Sequence, residues 1–458
     1  MSRDVVLIFD IGKTNKKILL FDRSLTILHE EEIVFDEILD DDGFECDDAE
    51  KLESWIRSGC KRFLEDERYS VKGINFTTYG ATLIYLDGRG KRLTPIYNYL
   101  KSMPDGIVEP VYDAYGGKAE FCRNTASPAL GMLNSGFQAL WLKKEKPDIY
   151  GKVRSILHFP QYLSYLITGK VSAEHTSIGC HTALWDFDRM VYHPWTRELE
   201  IPLPDPVGVE TTFPAKLFRE EIPVGIGIHD SSSSLVPYFM NSDEEFILVS
   251  TGTWCISMNP FNSEPLTDEQ LEKDCLAYLS IQKKPVKSSR LFLGRIHDLN
   301  VERLNRIYGA DASAYKKVAA DKGMLDSLAS RNRGSMVFFA RGIPEDLVDH
   351  TVAETAFESF DEAYHQLMTD LVDLTVESID LITGSDDRTR DIYITGGFSR
   401  NPIFITLVAQ RFPDKKIFTS EVANATSLGA ALILWNAVEE DYDPHIDLGL
   451  KLCTSDIE

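Results

Sequence analysis

The sequence predicts an α/β protein in which one structural theme occurs twice, and three observations carry that prediction. Strand-like apolar runs alternate with segments of helical periodicity along the whole chain. The 458 residues exceed what one ordinary core accommodates, so two domains are expected. A strand–turn–strand element with a glycine in its turn lies near the N-terminus, and a second lies about half a chain later.

The first such element reads Val5-Val6-Leu7-Ile8-Phe9-Asp10-Ile11-Gly12-Lys13-Thr14-Asn15, and then returns through Ile18-Leu19-Leu20-Phe21-Asp22. An apolar run ends in a carboxylate, and Gly12 supplies a tight turn. A third strand is expected over 26–35 and a helix over 49–64. Residues 73–78 and 83–86 read as strands, with Tyr79-Gly80 between them and Asp87-Gly88 as a turn. Residues 130–146 have helical periodicity, with Leu133, Phe137, Leu140 and Trp141 on one face, and stop at Pro147. A second apolar helix spans 161–168 and ends at Gly169. The first half closes with a buried strand over 222–229 and Asp230 at the N-cap of a helix. Pro237, Asn241 and Ser242 then interrupt the pattern, which divides the chain into domains 1–240 and 241–458.

The second element reads Phe246-Ile247-Leu248-Val249-Ser250-Thr251-Gly252-Thr253-Trp254, followed by Cys255-Ile256-Ser257-Met258. Helices are expected near 301–308 and over 360–382. Asp391 to Gly397 reads as a strand running into a Gly396-Gly397 turn. Asn401-Pro402 opens a helix reaching about residue 411, Phe418 lies in a short strand, and residues 425–437 form a closing apolar helix.

Bulk properties narrow the function. A hydrophobic share of 43% with 26% charged residues is ordinary for a globular protein. The net charge of −24 argues against sequence-independent nucleic-acid binding and against anionic membrane surfaces. Nine of the acidic residues crowd into 36–50, which reads as a solvated loop and helix start, a metal site being the alternative. The seven cysteines are scattered and odd in number, without a CxxC pair, so neither a zinc site nor a disulfide framework is indicated and a reducing cytoplasm fits. No signal-type apolar region stands at the start, and no apolar run approaches the ~20 residues of a membrane span.

The first turn exposes backbone N–H groups and cationic side chains beside Asp10. Such a turn can cradle phosphates while the carboxylate holds a hydrated Mg²⁺. A surface hairpin with an edge aspartate fits that stretch equally well. Two such loops, one per half, point to a duplicated fold that closes on a nucleotide from both sides.

Four features now stand in order: a phosphate-type hairpin, His229-Asp230 at a strand end, a second hairpin, and a Gly-Gly turn into a helix. With Asp10-Ile11-Gly12-Lys13-Thr14, Ser250-Thr251-Gly252-Thr253-Trp254 and Thr395-Gly396-Gly397-Phe398-Ser399-Arg400-Asn401, this order resembles the FGGY family of carbohydrate kinases, within the actin-like ATPase superfamily. The stretches Trp141-Leu142-Lys143-Lys144-Glu145-Lys146-Pro147-Asp148 and Tyr162-Leu163-Ser164-Tyr165-Leu166-Ile167-Thr168-Gly169 resemble the family's middle segment.

The resemblance implies two actin-like ATPase (ribonuclease H-like) domains with an interdomain cleft, the first binding sugar and the second nucleotide. It implies ATP and Mg²⁺ as cofactors and a small-molecule sugar as partner, with no nucleic acid, no membrane, and a homodimer left open. Asp230 matches the catalytic aspartate, which accepts the proton of the attacking sugar hydroxyl; a plain N-cap is the alternative. A helix N-terminus favours its ionised form, so weak basicity is expected. His229 orients the sugar or Asp230, or is a core histidine. Asp10 holds Mg²⁺ through water, or is a strand-end carboxylate. Gly12, Lys13, Thr14, Asn15, Thr251, Gly252 and Thr253 meet the ATP phosphates. Gly396 and Gly397 let backbone approach adenine or ribose, with Asn401 adding a polar contact; an ordinary strand–helix turn is the alternative. Thr78-Tyr79-Gly80 matches a substrate loop.

The His-Asp pair and the Thr-Gly-Thr-Trp string look closest to the family's rhamnulose and fuculose kinases, which favours a 6-deoxy-ketose such as L-rhamnulose or L-fuculose. The alternatives are a xylulose, other pentulose or polyol kinase, or a non-catalytic sugar- or nucleotide-binding regulator. A chaperone-like or filament-forming ATPase is a further one. Three positions depart from the family: the Tyr97-Asn98-Tyr99-Leu100-Lys101 loop lacks the usual acidic or arginine residue, Phe398 replaces a glycine, and Gln161 replaces an aspartate.

Overall fold

The first apolar run forms β1 (Arg3–Ile11), with Val5 to Phe9 buried on both faces as in a central strand. A tight turn leads to the antiparallel β2 (Asn15–Asp22), and β3 (Ile27–Val34) completes a meander at the sheet edge. The helix α1 (Ala49–Leu64) begins where the Asp48 carboxylate accepts the Lys51 N–H at 3.0 Å. It packs its apolar face on the sheet, and β4 (Tyr69–Thr78) then returns parallel to β1. After α2 (Phe159–Thr168) come the hairpin β5 (Thr212–Leu217) and β6 (Glu220–Gly225), and then the short β7 (Ile228–His229) beside β4. The sheet order is β5-β6-β4-β1-β2-β3, with β7 pairing β4 off that path. The helix α3 (Asp230–Asn241) follows at once.

The second sheet repeats the plan. An antiparallel meander joins β8 (Phe246–Thr251), β9 (Cys255–Asn259) and β10 (Pro285–Leu291). After α4 (Leu293–Tyr308) and α5 (Phe360–Asp380), β11 (Asp391–Gly396) lies parallel to β8. The helix α6 (Pro402–Arg411) leads to the parallel β12 (Lys416–Thr419) and the closing β13 (Lys451–Cys453). This is a computed structural model, and it describes residues 2–217, 220–348, 350, 352, 356–422 and 424–455.

The chain divides into two compact units: Met1–Asn241 with Ser263–Val286 and Ala423–Ile446, and Ser242–Asn262 with Lys287–Val422 and Asp447–Glu458. Sequence reading cuts the chain once, after residue 240, whereas the first unit also takes the closing helix Ala425–Val438. That helix is buried along most of its length and lies on the first sheet. The Asn75 amide donates to Ala430 O at 3.1 Å, and a Cβ at Gly73 would already touch Leu434. Among the described residues no helix is long and apolar enough to cross a membrane.

Two local expectations change, and a third is refined. The helix expected near 301–308 starts at Leu293, where no side chain caps it and the sequence gives no start signal. The strand expected over 222–229 breaks at Gly227, whose φ of +86° and close approach to the Pro160 carbonyl suit glycine. The acidic segment 36–50 is mostly exposed and runs into α1 as expected, but two of its carboxylates are buried and several are paired. Lys101 Nζ lies 2.6 Å from both Asp40 Oδ2 and Asp42 Oδ2, Lys146 Nζ pairs with Asp41 and Asp42, and Asp40 and Asp47 are buried.

Candidate active site

In the first unit, three parallel strands end side by side. Ile11 of β1 pairs with Thr78 of β4, and Thr78 pairs with His229 of β7. The loops that follow these strand ends therefore converge, and carboxyl ends of parallel strands are where such sheets bind ligands. The loops carry Gly12-Lys13-Thr14, Tyr79-Gly80 and Asp230. Sequence reading had named all of these residues, and topology brings them together.

In the hairpin turn, Gly12 N–H donates to Asn15 O at 2.9 Å, and a Cβ on Gly12 would press to 3.0 Å of that oxygen. Thr14 and Asn15 are exposed. Lys13 is committed elsewhere: its Nζ lies 2.7 Å from Glu37 Oε1 and 3.0 Å from Asp47 Oδ2. Burial pushes its pKa down, but these carboxylates outweigh that and hold it above the usual value. Phosphate contact by Lys13 therefore needs an exchange of partners.

The Asp10 carboxylate accepts the Ser427 hydroxyl at 2.5 Å. Burial pushes its pKa up to about 6; Ser427 and Lys17 oppose the shift and the charge of Asp230 adds to it. Asp230 is the first residue of α3. Its Oδ1 accepts the Ser231 N–H at 2.6 Å and the Ser231 hydroxyl at 3.2 Å, which leaves Oδ2 for a ligand. Its pKa also rises to about 6 through desolvation, against the two Ser231 bonds. One third of the side chain remains open to solvent, which softens that rise. The helix N-terminus alone predicted a weak base, and desolvation reverses that expectation.

His229 is buried and its pKa is pushed down to about 3, so the ring is neutral and its 3.2 Å contact with Asp230 Oδ1 is not an ion pair. The partners assign the tautomer. The Ser232 hydroxyl donates to Leu279 O at 2.9 Å, so Ser232 Oγ accepts from Nδ1–H at 3.3 Å. Nε2 then offers its lone pair to Cys180 Sγ, 3.0 Å away. Gly80 lies against this pair; a Cβ there would sit 2.8 Å from Cys180 Sγ. Thr78 is buried and its hydroxyl donates to Tyr79 O.

In the second unit the β8–β9 turn is closed by Gly252 N–H donating to Trp254 O at 2.9 Å, with Gly252 and Thr253 exposed. Buried Thr251 joins that turn to the next one. Its hydroxyl donates to Thr395 O and accepts the Phe398 N–H at 3.1 Å, and its carbonyl accepts the Gly397 N–H at 2.9 Å. Gly396 has φ +85°, and a Cβ there would lie 1.7 Å from Thr251 O. The start of α4 abuts the same turn, Gly294 N–H donating to Thr253 O at 3.1 Å.

These elements wall a cavity of about 470 Å³ lined by Gly252, Thr253, Gly294, His297, Tyr315, Gly397, Phe398 and Asn401, among others. Phe398 packs on His297 and Phe404, with ring centroids 5.3 and 5.1 Å apart, and so forms part of the wall. Asn401 lines the cavity, but its amide is engaged. Oδ1 accepts the Phe404 N–H as the cap of α6, and Nδ2 donates to Tyr364 Oη at 2.8 Å. Gln161, the third departure, donates to Gly227 O at 3.0 Å and supports the break between β6 and β7.

Sequence reading missed Ser427, Cys180, Gly294, His297 and Tyr315. None stands in a motif, and each reaches its site from an element distant in the chain. Among the described residues, Asp40, Asp41 and Asp42 are grouped as a cation site would be, but Lys101 and Lys146 already neutralise them.

Comparison with known proteins gives a consistent result. Residues 5–197 match the model of the FGGY family of carbohydrate kinases, N-terminal domain, and residues 243–442 match that of the carbohydrate kinase FGGY, C-terminal domain. A rhamnulokinase of Halalkalibacterium halodurans is 24% identical over 454 residues, covering 94% of this chain and 91% of the relative. A solved carbohydrate kinase from Novosphingobium aromaticivorans superimposes with a TM-score of 0.81 at 24% identity, covering 99% of this chain and 95% of the other. A ligand-bound xylulose kinase from Lactobacillus acidophilus gives a TM-score of 0.76 at 15% identity, covering 98% and 93%.

Proposed function

The chain belongs to the FGGY family of carbohydrate kinases, phosphotransferases with an alcohol group as acceptor, and from that premise we propose that it phosphorylates a ketose, preferably L-rhamnulose or L-fuculose, with Asp230 as the base. The observation that carries this reading is the state of Asp230. One carboxylate oxygen is fixed by Ser231, the other is free, and desolvation raises its proton affinity. Oδ2 accepts the proton of the sugar hydroxyl as its oxygen attacks the γ-phosphate of ATP. His229, neutral because its pKa is pushed down to about 3, brings no positive charge to Asp230 and so does not lower that carboxylate's proton affinity.

The turns at Gly12–Asn15 and Thr251–Thr253 supply N–H and hydroxyl donors for the phosphates. Gly397, set by the Gly396 turn, brings backbone to the cavity that takes the adenosine part, with the Phe398 and His297 rings in its wall. A divalent cation fits Asp10: its buried carboxylate and that of Asp230 repel one another, and hard oxygen donors suit Mg²⁺. When bound, Mg²⁺ offsets the charge of the phosphates. Asp10 would hold it, and Ser427 orients that carboxylate. The cytoplasm, which supplies ATP, is the compartment this reading calls for.

The sugar rests on two supports. The His229-Asp230 string resembles the deoxy-ketose kinases, and the relative above is named a rhamnulokinase. A pentulose is the competing substrate. The Tyr97–Lys101 loop, which departs from the family, is drawn onto Asp40 and Asp42 through Lys101. ADP release with Mg-ATP and L-rhamnulose, L-fuculose, xylulose, ribulose or glycerol tests both levels. Release with a 6-deoxy-ketose, abolished in Asp230→Asn, is the expected result. Release with xylulose or ribulose alone overturns the sugar. No release with any sugar overturns the kinase reading for this panel.

A further inference from the structure

The acidic segment had no assigned role, yet one of its carboxylates reaches two functional loops at once. Asp47 is buried, and its backbone is anchored on both sides. It bridges Ile96 in antiparallel fashion and directly precedes Asp48, the cap of α1. Its two oxygens have different duties. Oδ1 accepts from Lys16 Nζ at 3.0 Å; that buried ammonium also donates to Lys13 O at 2.8 Å and so holds the turn from beneath. Oδ2 is shared: it accepts Lys13 Nζ at 3.0 Å and Tyr79 Oη at 2.7 Å.

Lys13 belongs to the phosphate turn, and Tyr79 directly precedes Gly80 of the sugar loop. Tyr79 has little freedom, since its N–H donates to Ile11 O at 3.1 Å and its ring packs on Phe159 at 5.2 Å. An anionic oxygen with two donors divides its charge between them, and removing one strengthens the other. Lys13 is 23% exposed, and its second partner, Glu37, is 36% exposed, so that outer pair is the weaker one to break. When Lys13 swings to a phosphate, Oδ2 is left to Tyr79 alone and the sugar loop tightens.

We propose that Asp47 is a positioning residue that couples nucleotide occupancy at the Lys13 turn to sugar binding at the Tyr79 loop. The inference rests on the assignment of those two loops above. It predicts positive coupling: each ligand raises affinity for the other through one shared oxygen.

The test is calorimetry with L-rhamnulose on the full chain, with and without Mg²⁺ and the β,γ-imido analogue of ATP. Coupling of about 5-fold or more is expected in the wild type, within the ordinary range for linked sites. Tyr79→Phe and Lys13→Met each remove one arm and leave Lys16 paired; in both, coupling should fall below about twofold. Asp47→Asn should behave likewise, but it leaves the buried Lys16 without its counter-charge and puts the fold at risk, so the two arm variants decide. A purely structural Tyr79 or Lys13 would change single affinities while leaving the ratio at its wild-type value. Wild-type coupling in both variants, or none in the wild type, overturns the proposal. Sugar-dependent ADP release is scored in parallel. Its absence withdraws the function reading itself, whereas release with unaltered coupling in the variants withdraws Asp47 alone.

Discussion

The two hairpins share a plan and differ in their chemistry. In both, an antiparallel pair makes a glycine turn, and the loop after the neighbouring parallel strand donates back to the end of the first strand. Tyr79 N–H donates to Ile11 O in one, and Gly397 N–H donates to Thr251 O in the other. Two residues before the turn glycine, however, the first hairpin has Asp10 and the second has Ser250. The first turn is rich in ammonium groups balanced by the buried Asp47 and the exposed Glu37. The second is uncharged, fixed by the Thr251 hydroxyl, with Trp254 stacked on Phe292 at 4.3 Å. The same backbone plan thus carries different chemistry: buried titrating carboxylates lie beside the first turn, and hydrogen-bond donors and an aromatic stack at the second, the division the proposed function draws on.

Removing the base is the hardest test of that division. Asp230→Asn should lower turnover by roughly 10²–10⁴ while nucleotide affinity changes little. Steady-state ADP release and calorimetry together decide, and near-normal turnover would show that chemistry does not depend on the first repeat's carboxylate. Gly396→Ala probes the opposite end. A methyl at φ +85° and 1.7 Å from Thr251 O forces the two second-repeat turns apart. The backbone conformation alone costs about 1–2 kcal/mol. We expect at least about tenfold weaker nucleotide binding, equivalent to ~1.4 kcal/mol, with kcat for bound substrate far less affected. A fall in kcat without loss of nucleotide affinity would contradict the assignment.

The pH profile sharpens the comparison, because the proposed function puts Asp10 and Asp230, both with raised pKa, at the reacting end. Asp230 must be ionised to accept a proton, so turnover should fall on the acid side with a midpoint near its raised value of about 6. At pH 5 the loss is about tenfold for a single group. Stability runs the other way. Asp10 and Asp230 bind protons more tightly in the fold than in the unfolded chain, where carboxylates titrate near ~4. Their stabilising contribution is complete below about 4 and is lost as pH rises through about 6. Thermal unfolding between those limits should therefore show Asp230→Asn gaining on the wild type as pH rises, the usual opposition of stability and function.

Much of this was legible in the chain. The Asp10 turn, the His229-Asp230 strand end, the Thr251–Thr253 turn and the Gly396-Gly397 turn all carry local signals in the form of an apolar run, a small-residue turn and a helix start. Local signals also placed α1 and the β3 strand, and the structure adds that Asp48 caps α1. What escaped was non-local. The Ser427 hydroxyl reaches Asp10 from a helix whose sequence reads only as apolar, and Cys180 reaches His229 from a short irregular stretch. The acidic segment is largely solvated, as charge runs usually are; what its sequence did not show is that Asp40 and Asp47 are buried and that Lys101, Lys146, Lys13 and Lys16 come from elsewhere in the chain to meet it. Periodicity and spacing cannot show which distant cation answers a carboxylate.

The smallest expected effect separates capping from binding at the edge of the second repeat. Asn401 was expected to touch the nucleotide, yet its oxygen caps α6 and its nitrogen bonds Tyr364. Asn401→Ala removes both bonds, and loss of such a cap costs ~1 kcal/mol. Asn401→Asp keeps the cap, since aspartate serves that position equally well, and gives up only the donor to Tyr364. If the residue is structural, denaturant unfolding should order the three proteins wild type, Asp, Ala, with nucleotide affinity within about twofold throughout, as for surface changes away from a contact. If it binds nucleotide through its amide, Asp and Ala should weaken binding together, irrespective of stability. The first outcome would leave recognition in the second repeat to backbone donors and the Phe398–His297 wall, the division from the charged first repeat that the two hairpins already display.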